Sequence, residues 1–289
     1  MPTTRFAPSP TGLLHLGHAF AALAAADAAQ GGRFVLRIED LDRGRARAEY
    51  EQAICEDLRW LGLSWHEPLL RQSERSGAYR AALAQLAARD VLYPCFCTRA
   101  QIAAEIARAL EAPQGPEAAA VYPRTCRALT AAEREQRIAS GAPYALRLDT
   151  ARAAEALPAL TFAECGAGPD GQHGPIAVQP SLLGDVVLAR KDVPASYHLA
   201  VVVDDAFQDI TLVTRGNDLY AATHVQRLLQ ALLGLPAPRY AHHRLILDAQ
   251  GQKLSKRDRA ISLRSLREGG ASAQDIRQRL ECARSPPAS

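Results

Sequence analysis

Thr4-Arg5-Phe6-Ala7-Pro8-Ser9-Pro10-Thr11-Gly12-Leu13-Leu14-His15-Leu16-Gly17-His18 opens the chain with an abrupt change of local rules. Residues 4–6 are short enough to form a strand, and the turn-rich 7–12 must then leave the sheet. From 16 to 30 the sequence is rich in alanine and stops at Gly31-Gly32, which predicts a helix with a glycine end. Residues 33–38 alternate and carry branched side chains, so they predict a second strand, with Glu39, Asp40 and Asp42 just past its end. Strand, glycine-containing loop, helix, strand is the first unit of an α/β, doubly wound parallel sheet. In such sheets ligands sit beyond the carboxyl ends of the strands.

Working outward, helical patterns occupy 46–61 and 76–89, and 91–97 predicts a strand and turn where an insertion begins. Residues 112–123 hold three prolines and a glycine, predicting a loop, and 166–175 a second one. The apolar run 199–204 closes on carboxylates and predicts a buried parallel strand; 218–233 predicts a helix. A frayed tail is expected at 283–289.

The 289 residues, 48% of them hydrophobic, can bury a large core in one large or two modest domains. No stretch approaches the roughly 20 apolar residues of a membrane span, and no basic segment with an apolar signal core begins the chain, so no membrane partner and a cytoplasmic location are expected. A net charge of +3 is compatible with a nucleic-acid partner without requiring one. Of the six cysteines, Cys95, Cys97 and Cys126 fall in one region, and in a large cytosolic chain this favours metal or structural use over disulfides.

Two words carry chemistry. His15-Leu16-Gly17-His18 sets two imidazoles three residues apart at a helix start, where they share a face with free N–H groups and the positive end of the dipole. Phosphate suits that position, Gly17 lets a flat ring approach the backbone, and plain helix capping is the alternative. Near the other end, Lys253-Leu254-Ser255-Lys256-Arg257 follows a polar loop. Its cations suit charge developing on a leaving pyrophosphate; a solvated basic loop is the alternative.

Together these words resemble the paired signatures of class I aminoacyl-tRNA synthetases, in order and at opposite ends of one catalytic domain. Residues 5–12, 37–42 and 197–205 resemble the glutamyl branch. The resemblance implies a Rossmann-type domain with halves at 1–92 and 191–240, an insertion at 93–190, and a basic loop with a short helical segment at 241–289, with no anticodon-binding domain. It implies that Arg5, Ser9, Glu39, Tyr197 and Arg215 hold L-glutamate. The charges agree, since two guanidiniums and one carboxylate complement two carboxylates and one ammonium. A surface ion pair with Asp218 is the alternative for Arg215. His15, Gly17, His18 and Lys256 are then expected to bind ATP with Mg²⁺, and His15, His18, Lys253 and Lys256 to be catalytic. Arg257 stands where the family word has serine.

Only 32 residues follow Arg257, too few for a separate anticodon-reading domain. With the word Arg215-Gly216-Asn217-Asp218-Leu219, this resembles the stand-alone catalytic-domain paralogues of the branch. They imply a monomer that transfers glutamate to queuosine in the anticodon of tRNA(Asp). The alternatives are a shortened synthetase charging the 3′ end of tRNA(Glu) and a non-catalytic tRNA-binding paralogue. The paralogues also imply one structural Zn²⁺ on Cys95, Cys97, Tyr122 and Cys126, with His173 or Cys165 as alternatives to the tyrosine.

Overall fold

The computed structural model describes residues 1–98, 100–101, 122, 124–190, 193–246 and 261–284. Strand β1 (Thr3–Phe6) is buried throughout, and β2 (Arg33–Ile38) is buried after its first residue. The expected alternation in β2 is therefore absent, because both faces of a parallel strand are covered. Between them α1 (Leu16–Ala28) ends where Gln30 and Gly31 adopt φ of 49° and 76°, a left-handed turn that glycine accepts without cost. Helix α2 (Ala48–Trp60) leads to β3 (His66–Arg71), which pairs parallel with β2, and α3 (Ser76–Ala88) follows.

The next elements divide between two sheets. Strands β4 (Leu92–Cys95), β5 (Ala145–Leu148) and β8 (Val187–Arg190) form an antiparallel sheet of their own, interleaved in sequence with α4 (Ala131–Ala139) and α5 (Thr150–Glu155). Strands β6 (Thr161–Glu164) and β7 (Gly174–Ala177), from the same stretch, instead extend the parallel sheet. There β6 lies beside β10 (Arg239–His243), and β10 pairs parallel with β9 (Leu212–Gly216).

The run at 199–204 is a helix, not a strand: α6 (Tyr197–Phe207) begins after Ser196 and contains both carboxylates, Asp204 and Asp205. Three consecutive valines favour a strand by propensity. Tertiary packing overrides that preference, since α6 is enclosed between α3 and α7 (Tyr220–Leu233) with Leu199, Val201 and Val202 buried. Each such side chain contributes about 2 kcal/mol of hydrophobic stabilisation. A helix buried nearly all round has no polar stripe, so periodicity does not separate it from a buried strand.

The two halves of the parallel sheet meet at β1 and β9, where Thr211 N–H donates to the Thr3 carbonyl at 3.0 Å and Thr3 N–H donates to Thr211 Oγ1 at 2.9 Å. The order β3-β2-β1 then β9-β10 reverses direction at this join, leaving a crevice at the carboxyl ends of β1 and β9, as in other doubly wound sheets. Helices α8 (Leu263–Glu268) and α9 (Ala273–Arg284) complete the core through Leu263, Ile276 and Leu280, which cluster with Phe20 and Leu23 of α1. Among the described residues no helix is long and apolar enough to cross a membrane.

Candidate active site at the switch point

A cavity of about 410 Å³ opens at this crevice, lined by Arg5, His15, Gly17, His18, Glu39 and Arg215 among others. His15 caps α1: its Nδ1 accepts from Gly17 N–H at 3.1 Å, while His18 Nδ1 accepts from His15 N–H at 3.2 Å. The rings stand 3.8 Å apart, centroid to centroid. The capping geometry is thus present, and it is also what aims both imidazoles at the cavity. Lys253, Lys256 and Arg257 lie outside the described residues. Their flanks do not: Leu245 and Ile246 line the cavity, and Ser262 bridges to His15.

Arg5 is held from behind. Its Nε donates to Asp205 Oδ1 at 3.0 Å and its Nη1 to the Thr214 carbonyl at 3.2 Å, and the same Asp205 oxygen accepts from Arg37 Nη2 at 2.6 Å. One carboxylate therefore serves two guanidiniums, leaving net positive charge. Burial lifts the Glu39 carboxyl to about 7 despite the nearby Arg37 and Arg5.

Arg215 is 6% exposed and donates to His242 Nε2 (3.2 Å), Tyr197 Oη (3.3 Å), Gln226 Oε1 (2.7 Å) and Thr223 Oγ1 (2.5 Å). All four partners are neutral groups, so the surface ion pair with Asp218 is not what the structure contains. A buried guanidinium without a counter-ion is costly, and an anion entering the cavity relieves that cost. The sequence reading missed this surrounding set, namely Arg37, Asp205, Gln226, Thr223 and His242. The signal available for two of them was a charge inside an apolar run: Arg37 within 34–38 and Asp205 after 199–203.

A larger cavity of about 750 Å³ adjoins the first and shares Glu39 and Tyr197 with it. Ser9, Asp42, Arg45, Arg147 and His198 line it. Tyr122 also lines it, with the Arg147 guanidinium 3.7 Å above its ring centroid. Behind that wall the sulfurs of Cys95, Cys97 and Cys126 lie within 4.8 Å of one another. The Tyr122 oxygen is 3.3 Å from Cys95 Sγ and 3.4 Å from Cys97 Sγ. Three sulfurs and one oxygen converging so closely fit the donor set of a tetrahedral zinc site. Cys165 and His173 belong to the region of β6 and β7 and are exposed, His173 bonding the Gly166 carbonyl at 2.9 Å.

A doubly wound domain with a histidine-capped helix and a cationic crevice at its switch point has the form of a class I synthetase catalytic domain. The model of the family "tRNA synthetases class I (E and Q), catalytic domain" matches residues 2–280, and the chain belongs to this family and is a ligase. It is 48% identical to the glutamyl-Q tRNA(Asp) synthetase of Rhodobacter capsulatus, over 95% of this chain and 98% of that one. It is 40% identical to glutamate–tRNA ligase 2 of Nitrosococcus oceani, covering 92% of this chain and 56% of that one. Among solved structures, a glutamate tRNA ligase from Elizabethkingia meningosepticum in complex with its amino acid superposes with a TM-score of 0.70 at 32% identity. That match covers 88% of this chain, which spans about half of the other's length, at 52%.

Proposed function

We propose that the enzyme activates L-glutamate with ATP and transfers it to the queuosine base in the anticodon of tRNA(Asp). The observation that carries the first half is Arg215, a buried guanidinium with only neutral partners at the wall of the smaller cavity. A substrate carboxylate supplies its missing anion, Arg5 adds the second cation, and Glu39 takes the ammonium, with Ser9 and Tyr197 at the edge of the site. Glutamine would leave the guanidinium unpaired.

A glutamate carboxylate oxygen bonds the α-phosphorus of ATP as the bond to the bridging oxygen breaks and pyrophosphate departs. His15 and His18, fixed by the cap of α1, steady the phosphates beside Gly17, and Lys253 and Lys256 neutralise the leaving group, with Mg²⁺ accompanying the nucleotide. An acceptor hydroxyl then attacks the acyl carbon, AMP leaves, and the hydroxyl proton passes to the departing phosphate. The larger cavity, joined to the first at Glu39 and Tyr197, has room for the acceptor nucleoside.

Support for queuosine as the acceptor comes from the 98% coverage of the glutamyl-Q relative. Cys95, Cys97, Tyr122 and Cys126 hold one structural Zn²⁺ in this reading, within an inserted subdomain of a monomeric, cytoplasmic enzyme. The test is glutamate-dependent pyrophosphate exchange without tRNA, followed by transfer of labelled glutamate to tRNA(Asp) with and without queuosine and to tRNA(Glu). Labelling confined to queuosine-bearing tRNA(Asp) is expected. Equal labelling of both forms, or of tRNA(Glu) alone, overturns the acceptor assignment.

A further inference from the structure

Behind Arg215 lies a second charged group that does not touch it. Glu164, at the end of β6, is 1% exposed, and His242 in β10 is 3% exposed. Glu164 Oε1 accepts from the backbone N–H of His242 and of Gly166, each at 2.9 Å, and Oε2 lies 2.5 Å from His242 Nδ1. On its far side the same imidazole accepts from Arg215 Nε at 3.2 Å. These partners define the tautomer: Nδ1 carries the proton and donates to Glu164, and Nε2 is the acceptor for Arg215. Burial, together with Arg215, holds the imidazole below the usual histidine range despite Glu164. The ring is therefore a neutral spacer between a carboxylate and a guanidinium that would otherwise pair.

Gly166 fixes the carboxylate end of this arrangement. A Cβ at that position would meet the His242 carbonyl oxygen at 2.4 Å and its nitrogen at 2.8 Å, so β6 reaches β10 this closely only with glycine there. Two backbone N–H groups and the ring then hold the carboxylate away from Arg215.

We infer that His242 is a positioning residue that determines amino-acid specificity, by orienting Arg215 and keeping Glu164 from neutralising it. The inference rests on the reading that Arg215 receives the side-chain carboxylate of the substrate. Without the ring, Glu164 can supply the anion internally, and an uncharged amide side chain no longer leaves a buried charge unpaired. His242 then acts through Arg215 without contacting substrate.

The test compares glutamate and glutamine in amino-acid-dependent pyrophosphate exchange. His242→Ala is expected to raise the KM for glutamate and to shrink the preference for glutamate over glutamine by about tenfold or more. His242→Gln, which retains a neutral acceptor, keeps most of the preference. The decisive variant is Glu164→Gln/His242→Ala: with no internal carboxylate left, the preference returns, which loss of packing alone would not produce. Thermal unfolding of each variant establishes that it is folded. Equal loss of preference in the single and double variants, or an unchanged preference in His242→Ala, overturns the inference. A separate control, Arg215→Ala, addresses the underlying reading: unchanged glutamate KM there refutes the carboxylate site itself.

Discussion

The Arg215 guanidinium stands 3.3 Å from the Tyr197 hydroxyl, at the wall where the two cavities meet. It carries its charge in a buried setting with neutral neighbours only, so stability and function pull in opposite directions there. Arg215→Gln should bind glutamate more weakly by about 3 kcal/mol or more, through loss of a buried ionic contact. Its unfolding temperature should nevertheless equal or exceed that of the parent, because an uncompensated charge has been removed. Steady-state KM and a thermal melt read the two effects.

Glu39 should impose a pH limit. Burial raises its carboxyl to about 7, above the unfolded value, so the folded protein binds a proton that the unfolded chain releases. Two consequences carry opposite signs. The ligand-free protein loses stability as pH rises from the unfolded carboxyl range toward 7. In the proposed reading, glutamate binding needs the ionised form for the ammonium and weakens as pH falls below about 7. The glutamate KM against pH should show that limb, and Glu39→Gln should flatten it at a uniformly higher KM.

The cap that His15 makes is separable from the phosphate binding proposed for it. Asparagine caps helices well, whereas alanine loses about 1 kcal/mol at this position. His15→Asn should therefore melt near the parent temperature while the KM for ATP rises, and His15→Ala should lose both. Urea unfolding together with exchange assays at varied ATP distinguishes these outcomes.

Asp204 ties α6 to α3 by accepting from Arg75 Nε at 2.6 Å, Tyr79 Oη at 2.7 Å and Gln72 Nε2 at 2.9 Å. Asp204→Ala orphans the buried Tyr79 and Gln72 donors and the partly exposed Arg75, and should cost about 3–5 kcal/mol in urea unfolding. Its neighbour Asp205 faces the other way, toward Arg5 and Arg37, so a change at 204 should act on stability well before it acts on glutamate KM.

Cys97→Ser should release one equivalent of zinc per chain, measured by plasma mass spectrometry, and lower the melting temperature of the antiparallel region. Glutamate-dependent pyrophosphate exchange should persist in the protein that stays folded. Transfer to tRNA should fall further, because Tyr122 and the Arg147 stacked on it form part of the larger cavity's wall. Full zinc retention would count against the four-donor site.

Much of this was legible in the sequence because its signals are local. The turn at 7–12, the alanine-rich helix and its glycine stop place the first βαβ unit within a residue or two at most bounds, and the histidine word falls on the start of α1. What stayed hidden depends on packing between distant segments. The valines of 199–203 fit a buried strand as well as a buried helix, and only the flanking α3 and α7 decide. The strands β9 and β10 and the assignment of β6 to their sheet were missed for the same reason, since short apolar runs do not announce their partners. The surroundings of Arg215 come from β10 and α7, and no spacing rule connects them.

The ion pair between Arg5 and Asp205 joins positions 200 residues apart, and the β1–β9 join spans 208. During synthesis the first strand is therefore made long before the segment that completes it. Until Asp205 emerges, Arg5 and Arg37 lack the carboxylate that bonds both of them, and the crevice has only one wall. The site cannot be complete before more than two thirds of the chain has been translated. Such dependence on distant contacts makes folding slow relative to helical bundles of similar size.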